Sequence, residues 1–295
     1  MTIGIKKTDY IIRTFSKIKH KPWELYIITR IVNLLNDYSI EFISQQVVKK
    51  NDGKRYLVDL FFPQFNLYLE IDEAHHFDTS NAEYDKLRQR EIWDVTSFEE
   101  KRIAAVDVSS KKMRDLVDIN HDIDNFVEHI RKLKNSALFK KIFVPWNIDE
   151  RYNPEIYIKQ GFIDATKNVA VRKQVDALSL FGANYKRYQQ GWWNVPNTNL
   201  GVWFPRLYRS KDWTNSLSED GSLIIEEKSD KSPIDYKPKY DVDRIVFGHY
   251  KNVLGQIVYR FVGVFRQSKE ESTNNKYIHK LISNKLDLVK LSMVN

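Results

Sequence analysis

Three carboxylates on two neighbouring apolar stretches are the residues best placed to do chemistry. Asp59 lies in Leu57-Val-Asp-Leu-Phe-Phe62, and Glu70 and Asp72 lie in Leu67-Tyr-Leu-Glu-Ile-Asp72, with Glu73, His75 and His76 directly after them. Read as strands, these stretches alternate side chains between faces, so Glu70 and Asp72 point the same way and a hairpin partner brings Asp59 opposite them. Like charges converging on one point repel, and a hard divalent ion removes that penalty. An all-oxygen donor set with room for water suits Mg²⁺, or Mn²⁺, better than Zn²⁺, which favours nitrogen and sulfur. An imidazole beside such a site can take a proton from water or give one to a leaving oxygen. His75 and His76 are therefore the acid/base candidates. Asp72 would ligate the metal directly, ligate it through water, or position the histidine. A single strand carboxylate is ordinarily solvated, but Leu57, Leu60, Leu67 and Ile71 bury these strands and favour a shared site.

The elements around the cluster follow from periodicity. Tyr10, Ile11, Phe15 and Ile18 recur at helical spacing, and after Pro22 so do Trp23, Tyr26, Ile27, Ile31, Leu34 and Leu35. Two amphipathic helices thus precede a hairpin, Ile40 to Lys49 and Arg55 to Phe62, joined at Asn51-Asp52-Gly53. Pro63 and Asn66 break the chain before the Leu67 to Asp72 strand. Ala82 to Trp93 reads as a helix carrying Asp85, Arg88 and Glu91, Arg102 to Val108 as a buried strand, and Met113 to Leu133 as a helix.

Around Asn135 to Lys141 the pattern changes. Short apolar runs follow, broken by Gly, Pro and Asn: 142–146, 191–195, 201–208, 222–227, 244–250 and 256–265. They predict a small barrel or curved sheet, interrupted by a helix at Ala170 to Leu180 and a surface loop at Ser229 to Tyr240. The chain therefore divides into an α/β part, residues 1–136, and a β part, residues 137–295.

Composition narrows the partners. Of 295 residues none is cysteine, which excludes a disulfide framework, a thiol nucleophile and an iron–sulfur cluster and fits a reducing cytoplasm. Met1 to Lys7 contains no apolar run like a secretion signal, and no stretch approaches the roughly 18 apolar residues of a membrane span. A soluble cytoplasmic protein is the expectation. The net charge of +8 is uneven: residues 1–140 hold 23 basic against 22 acidic side chains, residues 141–295 hold 24 against 17. The basic part also contains Trp146, Trp192, Trp193, Trp203 and Trp213, and cations with stacking surfaces suit a nucleic acid. A basic surface over an aromatic core would have the same composition.

The order helix, hairpin with Asp59, then strand with Glu70-Ile-Asp72 resembles the PD-(D/E)XK nuclease core, in which the first Asp and the Glu bind metal. Two positions depart from that pattern: Val58 precedes Asp59 where the family has Pro, and Asp72 stands where it has Lys. The run Leu69-Glu-Ile-Asp-Glu-Ala-His-His76 followed by Tyr84-Asp-Lys-Leu-Arg88 is more similar to the very-short-patch-repair (Vsr-like) branch, whose histidine His76 matches slightly better than His75. The resemblance spans roughly residues 20 to 110. It implies a fold with a central mixed sheet and adds Glu24, since related nucleases often place a helical Glu beside the metal. Asp241-Val-Asp-Arg-Ile-Val-Phe-Gly-His-Tyr250 and Gly255-Gln-Ile-Val-Tyr-Arg-Phe-Val-Gly-Val-Phe265 resemble the strand pair ending SET-and-RING-associated (SRA-like) domains, curved PUA-like barrels that flip modified cytosine.

Together the two parts resemble the AbaSI-like family of 5-hydroxymethylcytosine-dependent restriction endonucleases. The resemblance implies a two-domain Mg²⁺ enzyme that binds duplex DNA carrying 5-hydroxymethylcytosine or its glucosyl form, cuts at a distance, and works as a homodimer. A flipped base needs aromatic faces and partners for its Watson–Crick edge. Trp213 is the candidate stacker with Asn215 beside it, and Asp235 the acceptor for the exocyclic amine with Tyr236 nearby. Glu226, Asn215 or Asp212 would meet the hydroxymethyl group. Trp203, among Val202, Phe204 and Leu207, reads as core. A nuclease for 5-methylcytosine or mismatches, a non-catalytic modified-DNA reader, and an RNA-binding PUA-like enzyme are the rivals.

Overall fold

A computed structural model of the chain describes residues 7–52, 54–73, 92–107, 109–110, 112–148, 150–252 and 254–292. Contacts divide it into two units, Met1–Ser80 with Val95–Asp149 and Asn81–Asp94 with Glu150–Asn295.

In the first unit, helices α1 (Lys7–Lys17) and α2 (Pro22–Leu35) precede strands β1 (Ile43–Lys49), β2 (Arg55–Phe62) and β3 (Leu67–Asp72). Proline at its first turn starts α2, where a missing N–H costs nothing, and Asn36 in the left-handed region ends it. The short strand β4 (Ile92–Asp94) groups with the second unit; β5 (Glu99–Ala104) and the long helix α3 (Leu116–Phe139) belong to the first. β1, β2 and β3 pair antiparallel and β5 joins β3 in parallel, giving a mixed sheet. Ile27, Ile28 and Ile31 of α2 and Ile119, Ile123, Phe126 and Ile130 of α3 bury against Leu60, Phe62, Leu67, Leu69 and Ile71. The opposite face of β2 and β3 is thereby left to carry Asp59 and Glu70.

Several expected elements differ. Residues 82–91 of the expected helix lie outside the described residues, and its last two, Ile92 and Trp93, belong to the strand Ile92–Asp94. β5 starts at Glu99, where three charged residues concealed it; an edge strand tolerates such charges. Residues 142–146, expected as a strand, are irregular, with Trp146 packed edge-on against Tyr10 at 5.0 Å. α3 runs through residue 139 behind its N-cap Asp115, so the expected division at 136/137 falls inside a helix.

The second unit contains α4 (Pro154–Gln160), β6 (Phe162–Asp164), β7 (Ala170–Val171), α5 (Gln174–Ser179), β8 (Trp192–Asn194), β9 (Leu200–Trp203), β10 (Ser216–Leu217), β11 (Leu223–Glu227), β12 (Asp243–Lys251), β13 (Ile257–Gln267), β14 (Lys276–Ser283), β15 (Lys285–Asp287) and α6 (Leu288–Ser292). An eight-stranded sheet runs β10-β11-β14-β13-β12-β9-β8, with β7 on β13. The β12–β13 register shifts at Val246/Phe247, beside Gly263 at φ +131°, and such bulges bend a sheet. The expected helix from Ala170 is β7 followed by α5. The strand pair β12–β13 was expected to finish the sheet, yet β14 follows and lies between β11 and β13. Among the described residues no helix is long and apolar enough to cross a membrane.

Candidate nuclease centre and base pocket

Asp59 is buried, and its two carboxylate oxygens are held separately: Oδ2 accepts from the Ile71 N–H at 2.8 Å and Oδ1 from Gln45 Nε2 at 3.0 Å. The same Gln45 amide donates to Glu24 Oε2 at 2.6 Å. Gln45 is placed for this by a left-handed backbone, φ 56°, in the middle of β1, where a non-glycine residue is strained. Glu24, in the first turn of α2, is also buried and ion-paired with Lys21, while its N–H donates to Glu73 Oε1 at 3.1 Å. Burial, then the neighbouring Asp59, pushes the Glu24 carboxyl up to about 7 against the pull of Lys21. Burial likewise raises Asp59 and Glu70.

Glu70 receives Lys50 Nζ at 2.9 Å, and Asp72 receives Arg102 Nη1 at 3.0 Å. Gln45 thus joins Asp59 to Glu24, and the Asp59 charge acts on Glu70, while Asp72 is paired toward Arg102 on β5. Among the described residues no group of three or more His, Asp or Glu side chains is placed to hold a metal ion. His75 and His76 lie outside the described residues, as do Asp85 and Arg88. In chemical type the all-oxygen donors Asp59, Glu24 and Glu70 are those a hard divalent cation takes, and burial penalises their ionisation. Gln45, Lys21 and Lys50 were not foreseen: a lone amide and two lysines carry no pattern, and only the fold brings them to the carboxylates.

In the second unit a cavity of about 810 Å³ is lined by Trp213, Asn215, Glu226, Tyr236 and Asp212, four of them among the five residues expected in the pocket. Trp213 and Tyr236 stand with ring centroids 6.2 Å apart at 40°. Asn215 is only 6% exposed, and among the described residues its Oδ1 has no hydrogen-bond partner. Glu226 on β11 and His279 on β14 are diagonal neighbours, with Nε2 3.2 Å from Oε2. Burial lowers the His279 pKa, against the opposing pull of Glu226. Burial and Glu226 raise the Tyr236 phenol. A buried carboxylate, an unpaired amide oxygen and a phenol beside an indole can hold a flat heterocycle whose edge donates hydrogen bonds.

The fifth residue, Asp235, does not line the cavity. Its side chain is 74% exposed and pairs with Lys228 at 3.3 Å. Trp203, expected as core, also lines the cavity, its ring 5.0 Å from that of His279. Trp192, Lys239, Arg206 and Arg244 also line the wall and were not singled out as pocket residues. The Gly191-Trp192-Trp193 run in the basic part was the available signal. Lys239 Nζ lies 4.4 Å from the Trp192 ring centroid.

Residues 8–131 match the model of the "Restriction endonuclease PvuRts1 I-like, N-terminal" family, and residues 156–288 that of the SET and RING associated domain. No curated protein sequence matches. Among solved structures the chain is similar to "The 5-Hydroxymethylcytosine-Specific Restriction Enzyme AbaSI", at 31% identity over 95% of this chain and 97% of that one, with a TM-score of 0.78. Fold and sites together define a two-domain restriction endonuclease, a nuclease unit coupled to a modified-base reader. The chain belongs to the AbaSI-like family of modification-dependent restriction endonucleases.

Proposed function

We propose that this enzyme recognises 5-hydroxymethylcytosine, or its glucosylated form, in duplex DNA by flipping it from the helix, and hydrolyses the backbone at a distance with Mg²⁺ or Mn²⁺. The observation that carries the reading is the cavity wall: Trp213 against Tyr236, with the unpartnered Asn215 Oδ1 and the Glu226 carboxylate beside them. The indole and phenol offer faces to the extruded ring, and the two acceptors suit the exocyclic amine and the hydroxymethyl group. An 810 Å³ cavity has room for a base bearing a large substituent.

Asp59 and Glu70 would hold the cation, with Asp72 and Glu24 as further oxygen donors. When bound, the metal polarises the phosphoryl oxygen and makes water more acidic. His76, or His75, would move the proton. Each active site cuts one strand, so double-strand cleavage calls for two protomers, and we assign a homodimer.

A reader without activity is favoured by one observation, that Lys50 and Arg102 already neutralise Glu70 and Asp72. The Asp59→Ala variant separates the two. Cleavage should fall by more than about 100-fold, the upper cost of losing an outer-shell metal partner, while binding to hydroxymethylated duplex stays at the wild-type level. Undiminished cutting by this variant would remove Asp59 from the reaction.

A further inference from the structure

His279 is fully buried on β14, yet it touches two residues of the cavity wall, Glu226 and Trp203. Its Nε2 lies 3.2 Å from Glu226 Oε2, and its ring centroid lies 5.0 Å from that of Trp203. Directly opposite it on β13 stands Gln267, also buried. Opposite residues of an antiparallel pair share a face, so the two side chains are neighbours. Each carries a buried atom with no hydrogen-bond partner among the described residues, Nδ1 of His279 and Nε2 of Gln267.

Donor and acceptor chemistry orders these groups. Gln267 Oε1 accepts from the Lys239 N–H at 3.0 Å and from Arg244 Nη2 at 2.8 Å. Both partners can only donate, which settles which end of the amide is oxygen and which is nitrogen. An ionised Glu226 can only accept, so the ring nitrogen facing it carries the proton, and Nδ1 is left as an acceptor that complements the Gln267 N–H groups. Two cavity-wall residues, Glu226 and Arg244, are therefore each held from the buried side of the sheet. We infer that His279 is a positioning residue for base recognition: through Nε2–H it pins the Glu226 carboxylate in one orientation on the cavity wall. The inference rests on the reading of the cavity as the pocket for a modified base. His279 touches no DNA in this role and acts through Glu226 alone.

The test replaces one ring nitrogen at a time. The amide nitrogen of Gln reaches about as far along the side chain as Nε2, whereas that of Asn stops near Nδ1. Binding of the full-length protein to 5-hydroxymethylated and unmodified duplexes in EDTA, read by fluorescence anisotropy, should show a wild-type preference for the modified one. His279→Asn should lower that preference about tenfold, the scale of one hydrogen bond to a charged group, with unmodified duplex bound as before, and His279→Gln should restore it. Nitrogen NMR of the wild-type imidazole rings, with the His279 signals assigned as those missing from His279→Gln, should place a proton on Nε2, a reading that holds should His279→Asn fail to fold. Equal preferences in the Asn and Gln variants, a loss shared by both duplexes, or an Nε2 without its proton would each overturn the inference. If Glu226→Ala abolishes the preference and His279→Asn leaves it intact, the pocket reading stands and only the role of His279 falls. No preference in the wild type would sink both.

Discussion

Glu24 shows how far a single side chain can be read into function. Burial and the adjacent Asp59 raise its pKa from 4.5 to about 7. Below 4.5 the carboxyl is protonated whether the chain is folded or not, and contributes no pH dependence. As pH rises from there through 7, the unfolded chain ionises freely while the fold resists, so stability falls. Asp59 and Glu70, raised by burial, act in the same direction. Thermal unfolding of the metal-free protein should therefore give a lower Tm at pH 8 than at pH 5, and Glu24→Gln should flatten that slope; a slope as steep in the variant would contradict the assignment. In the pocket, Asn215→Ala should weaken binding to hydroxymethylated duplex by about 1–3 kcal/mol, the cost of leaving a partner unpaired, with little change for unmodified duplex, as fluorescence anisotropy would report. The acidic residues were legible because strand alternation and clustering mark them, and Trp213 because its neighbours Asp212, Thr214 and Asn215 are polar. Asp235 was misplaced because neighbours along a loop need not face the same way: Tyr236 lines the cavity and Asp235 does not.

At the scale of elements, the pocket depends on a close approach between β8 and β9. A Cβ on Gly201 would lie 1.9 Å from Trp192 Cζ2, so only glycine lets the indole pack there. Gly201→Ala should displace Trp192, loosen Lys239, and cost about 1–3 kcal/mol in stability, as overpacking does, together with a several-fold loss of affinity for modified DNA. A variant with wild-type Tm and affinity would show that the indole is free to move. The β1–β2 hairpin, β3 and the opening helices could be read from periodicity, turn residues and Pro22. The charged start of β5 and the whole of β14 could not, because charged residues on their exposed faces break the alternation that reveals a strand. Gln45 in the left-handed region had no cue at all, being neither glycine nor asparagine.

Over the whole molecule, cutting and choosing belong to different units, and charge follows the division. The nearly neutral first part holds the carboxylates, while the basic second part holds the cavity and most of the tryptophans. On the proposed reading, phosphate attraction would account for affinity to any duplex, and the cavity for the preference among duplexes. The account is tested most directly by cleavage of four otherwise identical duplexes with Mg²⁺, carrying cytosine, 5-methylcytosine, 5-hydroxymethylcytosine or glucosyl-5-hydroxymethylcytosine. It predicts cutting of the hydroxymethylated and glucosylated duplexes and little or none of the other two; equal cutting of all four would contradict it.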